Sequence, residues 1–328
     1  MKNVKSKICF VIPYFGNFKE YFQLFLNSCQ ANKDINWLIV TDNNDDYNFP
    51  KNVKKIDMTF GDLRKKIQNK FEFEIPLSKP YKLCDFKVTY GYIFEDELKG
   101  YDFWGYCDTD IIFGNIKRFI TEEVLQKYDK IGYLGHFTLI KNTFELNRAF
   151  MLPLNGKEIY REILSSDENY SFDEEFNSSI NNIFLEHNYR IFTDMNEAGL
   201  YTKTSNFKLT KMNFSSYTYE VEKLKRAFFV YEDGSLFRYV ESKNKIEKSE
   251  YLYIHFQSRP MKVDISLDSK RYKIIPNSFD RLEVYPITVD NFNSIQRKHF
   301  NMHYFKLRSH NLVDKIQKYV RVKLNGKS

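Results

Sequence analysis

Apolar positions in this chain change their period repeatedly, and each change predicts an element. Lys7 to Ile12 (KICFVI) is a continuous apolar run closed by Pro13, the pattern of a strand buried on both faces. From Asn17 to Gln30 the spacing becomes helical, with Tyr21, Phe22, Phe25 and Leu26 on one stripe. Asn36 to Val40 (NWLIV) predicts a second buried strand ending in the polar loop Thr41-Asp42-Asn43-Asn44-Asp45-Asp46, and Val53 to Met58 a third. Lys79 to Leu98 reads as a helix with Leu83, Phe86, Tyr90 and Phe94 on one face, leading into the strand Tyr101 to Asn115 (YDFWGYCDTDIIFGN). This alternation predicts an α/β fold, a mostly parallel sheet covered on both sides.

Further along, Lys130 to Ile140 reads as a strand, Phe172 to Leu185 as a helix, and Phe228 to Val240 as a hairpin turning at Asp233-Gly234. Glu250 to Phe256 (EYLYIHF) reads as a late strand. No internal repeat or low-complexity linker interrupts the pattern. The expected organisation is one continuous domain over residues 1–262, with a small hairpin addition, and an extension over 263–328. From Asn311 to Leu324, Leu312, Ile316, Tyr319, Val320 and Lys323 follow helical spacing beside Lys315, Lys318 and Arg321, predicting a basic amphipathic helix suited to an anionic membrane surface.

Composition adds that 328 residues at 42% hydrophobic content suffice for a substantial core, walled by 31 Phe and 24 Tyr. No apolar run approaches the roughly 18 residues that cross a bilayer, and the start lacks a signal-peptide core, so the expected location is cytoplasmic, with peripheral membrane contact through the tail. Cys9, Cys29, Cys84 and Cys107 form no CxxC pair and read as small reduced hydrophobes. The net charge of +7 is uneven: residues 296–328 carry nine Lys or Arg against Asp314 alone. The near-neutral remainder argues against a broad nucleic-acid channel, although a basic, aromatic-rich nucleic-acid binder is one alternative class.

The chemistry centres on Asp108 and Asp110. On a strand, positions i and i+2 face the same side, which would present both carboxylates together at a carboxyl end, where ligands bind in open α/β sheets. Such a pair repels itself unless a cation intervenes, and a divalent ion shared with a diphosphate resolves the conflict; the same two residues also fit a solvated turn capping a helix that starts near Asn115. A metal-dependent nucleotidyltransferase or phosphatase would use the same pair. Tyr14, in the loop Pro13-Tyr14-Phe15-Gly16-Asn17, and Asp42 fit ordinary turn chemistry, while an aromatic ring there could also stack on a base and the carboxylate accept hydrogen bonds from base or ribose. Lys82 and Asp85 share a helix face and fit an exposed ion pair. His136, in Gly135-His136-Phe137-Thr138, follows a strand and suits sugar hydroxyls. Asp173 and Glu174, in the acidic cluster 172–176, fit either a first helical turn or proton transfer at an acceptor hydroxyl.

The segment GYCDTDIIFGN, preceded by KPYKLCDFKVTYGYIF, resembles the GT-A nucleotide-sugar glycosyltransferases, in particular bacterial polysaccharide enzymes related to glycosyltransferase families 8 and 32. A second match, Tyr253 to Lys262 (YIHFQSRPMK), resembles the late HFxGxxKPW segment of that group. The resemblance implies a GT-A, Rossmann-like fold. It implies transfer of a sugar from a nucleoside-diphosphate sugar, a UDP-sugar favoured, to a saccharide acceptor, free or lipid-linked, in surface polysaccharide assembly, with retention slightly favoured. Asp108, Asp110 and His255 are then ligands of Mn2+ or Mg2+. Phosphate contact falls to Arg259 or Lys262, since the family's glycine and KPW are replaced here, and Lys82, Asp85 and Lys87 lie on the helix that meets donor sugar and phosphates.

Overall fold

The computed structural model describes residues 5–174, 176–213 and 216–299, with a few positions beyond 300; the basic segment expected over 311–324 lies, apart from Leu312, Val313 and Ile316, outside the described residues. The chain divides into two compact units, residues 1–111 with 115–196, and residues 112–114 with the chain from 197 onward.

In the first unit the predicted β-loop-α pattern is present. β1 (Ile8–Pro13), α1 (Phe22–Ala31), β2 (Ile35–Thr41), β3 (Val53–Asp57), α2 (Phe60–Gln68) and β4 (Phe103–Cys107) follow in order. β5 (Ile111–Phe113) leaves for another sheet, and β6 (Lys130–Leu134), β7 (Phe137–Lys141) and β8 (Ile191–Phe192) return. The sheet order is β3-β2-β1-β4-β7-β6-β8. β1 runs parallel to both β2 and β4, β2 runs parallel to β3, and β7 is antiparallel to β4 and β6. Ile8, Phe10 and Val11 have no exposed surface, which is why the run is apolar at every position rather than at alternate ones.

Three expectations change. The helix read over 79–98 is a string of short turns, Pro80–Lys82, Leu83–Phe86, Lys87–Thr89 and Tyr90–Ile93. Pro80 opens it, Val88 and Thr89 are stiff β-branched residues, and at Gly91 a Cβ would stand 2.2 Å from the Trp104 ring, so packing rather than propensity sets its path. The single strand read over 130–140 is the hairpin β6–β7. The helix read from Phe172 begins at Ile180, capped by Ser179, because 172–174 form a turn.

The second unit holds the remaining strands: β9 (Ala198–Leu200), β10 (Leu209–Asn213), β11 (Thr218–Val221), β12 (Arg226–Glu232), β13 (Ser235–Ser242), β14 (Lys245–Tyr251), β15 (Tyr253–His255), β16 (Lys262–Asp264), β17 (Arg271–Ile275) and β18 (Ser278–Asp280). They form a five-stranded sheet, β11-β10-β9-β15-β5, and a six-stranded sheet, β14-β13-β12-β17-β18-β16. The predicted hairpin is β12–β13. Its turn residues Asp233 and Gly234 both take positive φ, 48° and 87°, as a two-residue turn between twisted strands requires. It is no isolated addition, since Phe228, Val230 and Tyr239 pack with Ile275, Phe292 and Ile295 in that unit's core. The whole is a mixed α/β protein, richer in strands than expected.

Candidate active site

Around β1 the strand order reverses, with β2 on one side and β4 on the other, and loops at such a reversal form a crevice at the carboxyl ends. The loops leaving β1, β2 and β4 begin at Tyr14, Asp42 and Asp108. The Tyr14 N–H donates to Val40 O at 2.9 Å, and the Asn43 side-chain amide donates to Gly16 O at 3.4 Å, so the first two loops are tied together. One face of the Tyr14 ring stacks on Phe18, with centroids 4.6 Å apart and 15° between planes. Burial raises the Tyr14 hydroxyl above its ordinary pKa, and the charge of Asp110 adds to the shift, placing that carboxylate nearby. Asp110 also adds to the rise of the buried Tyr21 hydroxyl, a residue read from the sequence as helix core alone. Asp42 is exposed.

β4 ends at Cys107, so Asp108 and Asp110 lie in the turn beyond it and strand alternation does not pair them. The Asp108 N–H donates to His136 O at 3.2 Å, while the His136 side chain is buried. Lys87 joins the parts. Its ammonium donates to Asp108 Oδ1 at 2.8 Å and to Gly135 O at 2.9 Å, and lies 3.3 Å from Asp173 Oδ2. An ammonium has three hydrogens, and these acceptors use all of them. Burial alone would lower the Lys87 pKa, but Asp108 and Asp173 hold it well above the ordinary value.

Asp173 is buried against this lysine. Desolvation pushes its carboxyl up to about 7 despite the opposing pull of Lys87, with Glu174 and Asp108 adding to the rise. Gly135 makes the approach possible: a Cβ there would fall 2.0 Å from Asp173 Oδ2. The Gly135 N–H donates to Glu174 at 3.1 Å. Sequence reasoning named Asp173 and Glu174, and Gly135 only within the segment read for sugar hydroxyls; the part Gly135 plays here depends on two segments 38 residues apart in sequence meeting at one lysine.

Other named residues are placed differently. Lys82 and Asp85, expected as an exposed pair, have no exposed surface and bond to each other at 2.8 Å. Lys82 also donates to Ile163 O at 2.9 Å and to Glu168 O, which again accounts for three hydrogens. No donor is left for a ligand. In the second unit, Arg259, expected at a phosphate, is buried; its guanidinium donates to Pro276 O at 3.2 Å, Thr204 O at 2.8 Å and Tyr201 O at 3.4 Å. It clamps loops of its own unit. Lys262 is exposed and pairs with Asp264 at 3.1 Å. His255 is buried and ends β15, whose sheet neighbour is β5.

The second unit also gathers Asp264, Asp280 and His299, whose ligand atoms lie within 4.8 Å of one another. Asp264 and Asp280 face each other across paired strands, yet Lys262 meets the first at 3.1 Å and Lys273 the second at 3.5 Å. Two lysines already balance the two carboxylates.

Residues 10–283 match the family of unknown function DUF6625, and the chain belongs to that family. No curated protein matches it. Among solved structures it is similar to a galactosyltransferase, LgtC, in complex with donor and acceptor sugar analogues. That likeness has a TM-score of 0.34 and 11% identity, over 59% of this chain and 75% of the other.

Proposed function

We propose that this protein is a divalent-metal-dependent glycosyltransferase that moves a sugar from a nucleoside-diphosphate sugar, a UDP-sugar favoured, to a saccharide acceptor. The observation that carries the reading is the acidic turn at the carboxyl end of β4, where one lysine ammonium serves both Asp108 and Asp173. An acidic group that its own lysine does not balance is suited to a cation. We assign Asp108, Asp110 and His255 as the ligands. β5 begins at the residue after Asp110 and is the sheet neighbour of β15, which ends at His255. Two hard carboxylates with one imidazole suit Mn2+ somewhat better than Mg2+, which prefers oxygen alone. When bound, the ion offsets the charge developing on the departing diphosphate.

Tyr14 and Asp42 take the nucleoside, Tyr14 offering the ring face not stacked on Phe18. Lys262, exposed on β16, is the lysine assigned to phosphate. If transfer inverts the sugar, Asp173, titrating near neutrality, is the group suited to accept a proton from the acceptor hydroxyl, with Glu174 beside it holding Gly135 N–H. The catalytic assembly lies within residues 1–262. The basic segment 311–328 holds the protein at an anionic membrane surface carrying a lipid-linked acceptor, which liposome co-sedimentation of full-length and truncated protein tests.

The deciding experiment incubates the protein with a panel of sugar nucleotides and Mn2+. Release of the nucleoside diphosphate, with sugar moved to acceptor or water, is the expected result. Release of sugar 1-phosphate would instead indicate nucleotidyl transfer, release of inorganic phosphate from UDP itself a phosphatase, and binding of single-stranded nucleic acid without turnover a nucleic-acid protein.

A further inference from the structure

A buried lysine–aspartate pair with no exposed surface is costly to desolvate and calls for a reason. Lys82 and Asp85 form such a pair, and every side-chain hydrogen bond they make beyond each other, among those described, goes to the backbone of residues 163–172. Lys82 donates to Ile163 O at 2.9 Å and Glu168 O, and its ammonium sits 5.0 Å from the centroid of the Tyr170 ring. Asp85 accepts from Tyr170 N at 3.0 Å and from Phe172 N at 2.9 Å. The residue between those two amides, Ser171, has φ of 53°, a left-handed conformation that a non-glycine residue keeps when its surroundings impose it. Asp85 grips the backbone on both sides of that residue. Two positions after Ser171 stands Asp173, and two positions after Asp85 stands Lys87, its partner.

We propose that Lys82 and Asp85 are a positioning pair: they impose the left-handed turn at Ser171 and thereby set the carboxylate of Asp173 against Lys87 and Gly135. This rests on the reading of Asp173 as a residue of the reaction site. The pair touches no substrate. It acts through backbone amides, and a carboxylate suits the task because one group can accept from two N–H donors and a lysine at once.

The test uses the full chain in two forms, the double variant Lys82→Met/Asp85→Leu, which removes both charges while keeping the bulk, and the single variant Asp85→Asn, which keeps one acceptor oxygen. Four quantities are measured: thermal unfolding, hydrogen exchange of the Tyr170 and Phe172 amides, UDP binding with Mn2+, and turnover of whichever donor the native protein uses. The expected result for the double variant is a folded protein whose Tyr170 and Phe172 amides lose protection while those of β1 keep it. Its UDP affinity stays within about twofold and its kcat falls by about 10²-fold, the penalty of a small misplacement at a reacting group. Asp85→Asn falls between the two proteins. Protected amides or an unchanged kcat would overturn the proposal, as would a parallel loss of UDP affinity, which would mean that the pair supports the whole site. If the double variant does not fold, Asp85→Asn decides by the same readings. If the native protein turns over no donor, the functional reading fails, and the exchange arm still decides whether the pair imposes the turn.

Discussion

Two acidic groups of this molecule are alike in composition and opposite in electrostatics. In the second unit, Asp264 and Asp280 stand opposite each other, and each has its own lysine, Lys262 at 3.1 Å and Lys273 at 3.5 Å. In the first unit, Asp108 and Asp173 share Lys87, and Asp173 is driven up to about 7 by burial. The first arrangement is balanced pair by pair, Lys262 with Asp264 about half exposed and Lys273 with Asp280 largely buried. The second is buried and short of positive charge. Counting acidic residues would rank the two as equals, whereas counting charges within reach of each carboxylate separates them.

The largest effect should come from removing the shared cation. Lys87→Met leaves Asp108 and Asp173 without their ammonium in a poorly solvated place, and we expect a loss of about 3 kcal/mol or more in urea-unfolding free energy, the scale for breaking a buried pair. A loss below about 1 kcal/mol would mean that Lys87 is solvated like Lys262. Next, Asp108→Asn and Asp110→Asn should each weaken Mn2+-dependent UDP binding at least tenfold, about 1.4 kcal/mol, while the protein stays folded. Unchanged calorimetric affinity in both would remove the assignment of a metal to this turn.

A smaller effect is confined to one pH window. The folded-state pKa of Asp173, about 7, lies above its ordinary value of 3.8, so between those limits the native protein holds a proton that the unfolded chain has released. Stability from this group is present below about pH 4 and is lost as pH rises towards 7. Asp173→Asn cannot ionise, so its melting temperature should gain on that of the native protein over that interval, and parallel melting curves would show that the carboxyl is not perturbed. Smallest of all, Asp264→Asn should leave the melting temperature and the Mn2+ affinity unchanged within measurement error, since Asp264 and Lys262 are both about half exposed.

The sequence made some of this visible and hid the rest for physical reasons. β1 and β2 were legible because a parallel strand covered on both faces is apolar nearly throughout, whereas the edge strand β3 (VKKID) buries only Val53, and the β12–β13 turn was legible because Asp-Gly is suited to two positive φ angles. Tyr14, Asp42 and Asp108 could be named because each follows an apolar run. The segment 79–98 misled because its apolar residues keep helical spacing while Gly91 lets the backbone press against Trp104, a contact with no local signal. Lys82 and Arg259 misled similarly. A charged side chain is read as exposed unless its partners are known, and theirs lie at 163–168 and at 201–204 and 276. The link from Lys87 to Asp173 spans 86 positions and follows from the fold alone.

The three residues of β5 carry a consequence for biosynthesis. They are made early, between stretches that belong to the first unit, yet their sheet neighbour β15 emerges roughly 140 residues later, on the order of ten seconds at ordinary translation rates. Throughout that interval the ribosome has released a strand whose partner does not yet exist. Because 112–114 belong to one unit and both flanking stretches to the other, no single proteolytic cut separates the two units: a segment ending at 196 holds the first unit whole but takes 112–114 with it, and one beginning at 197 lacks them.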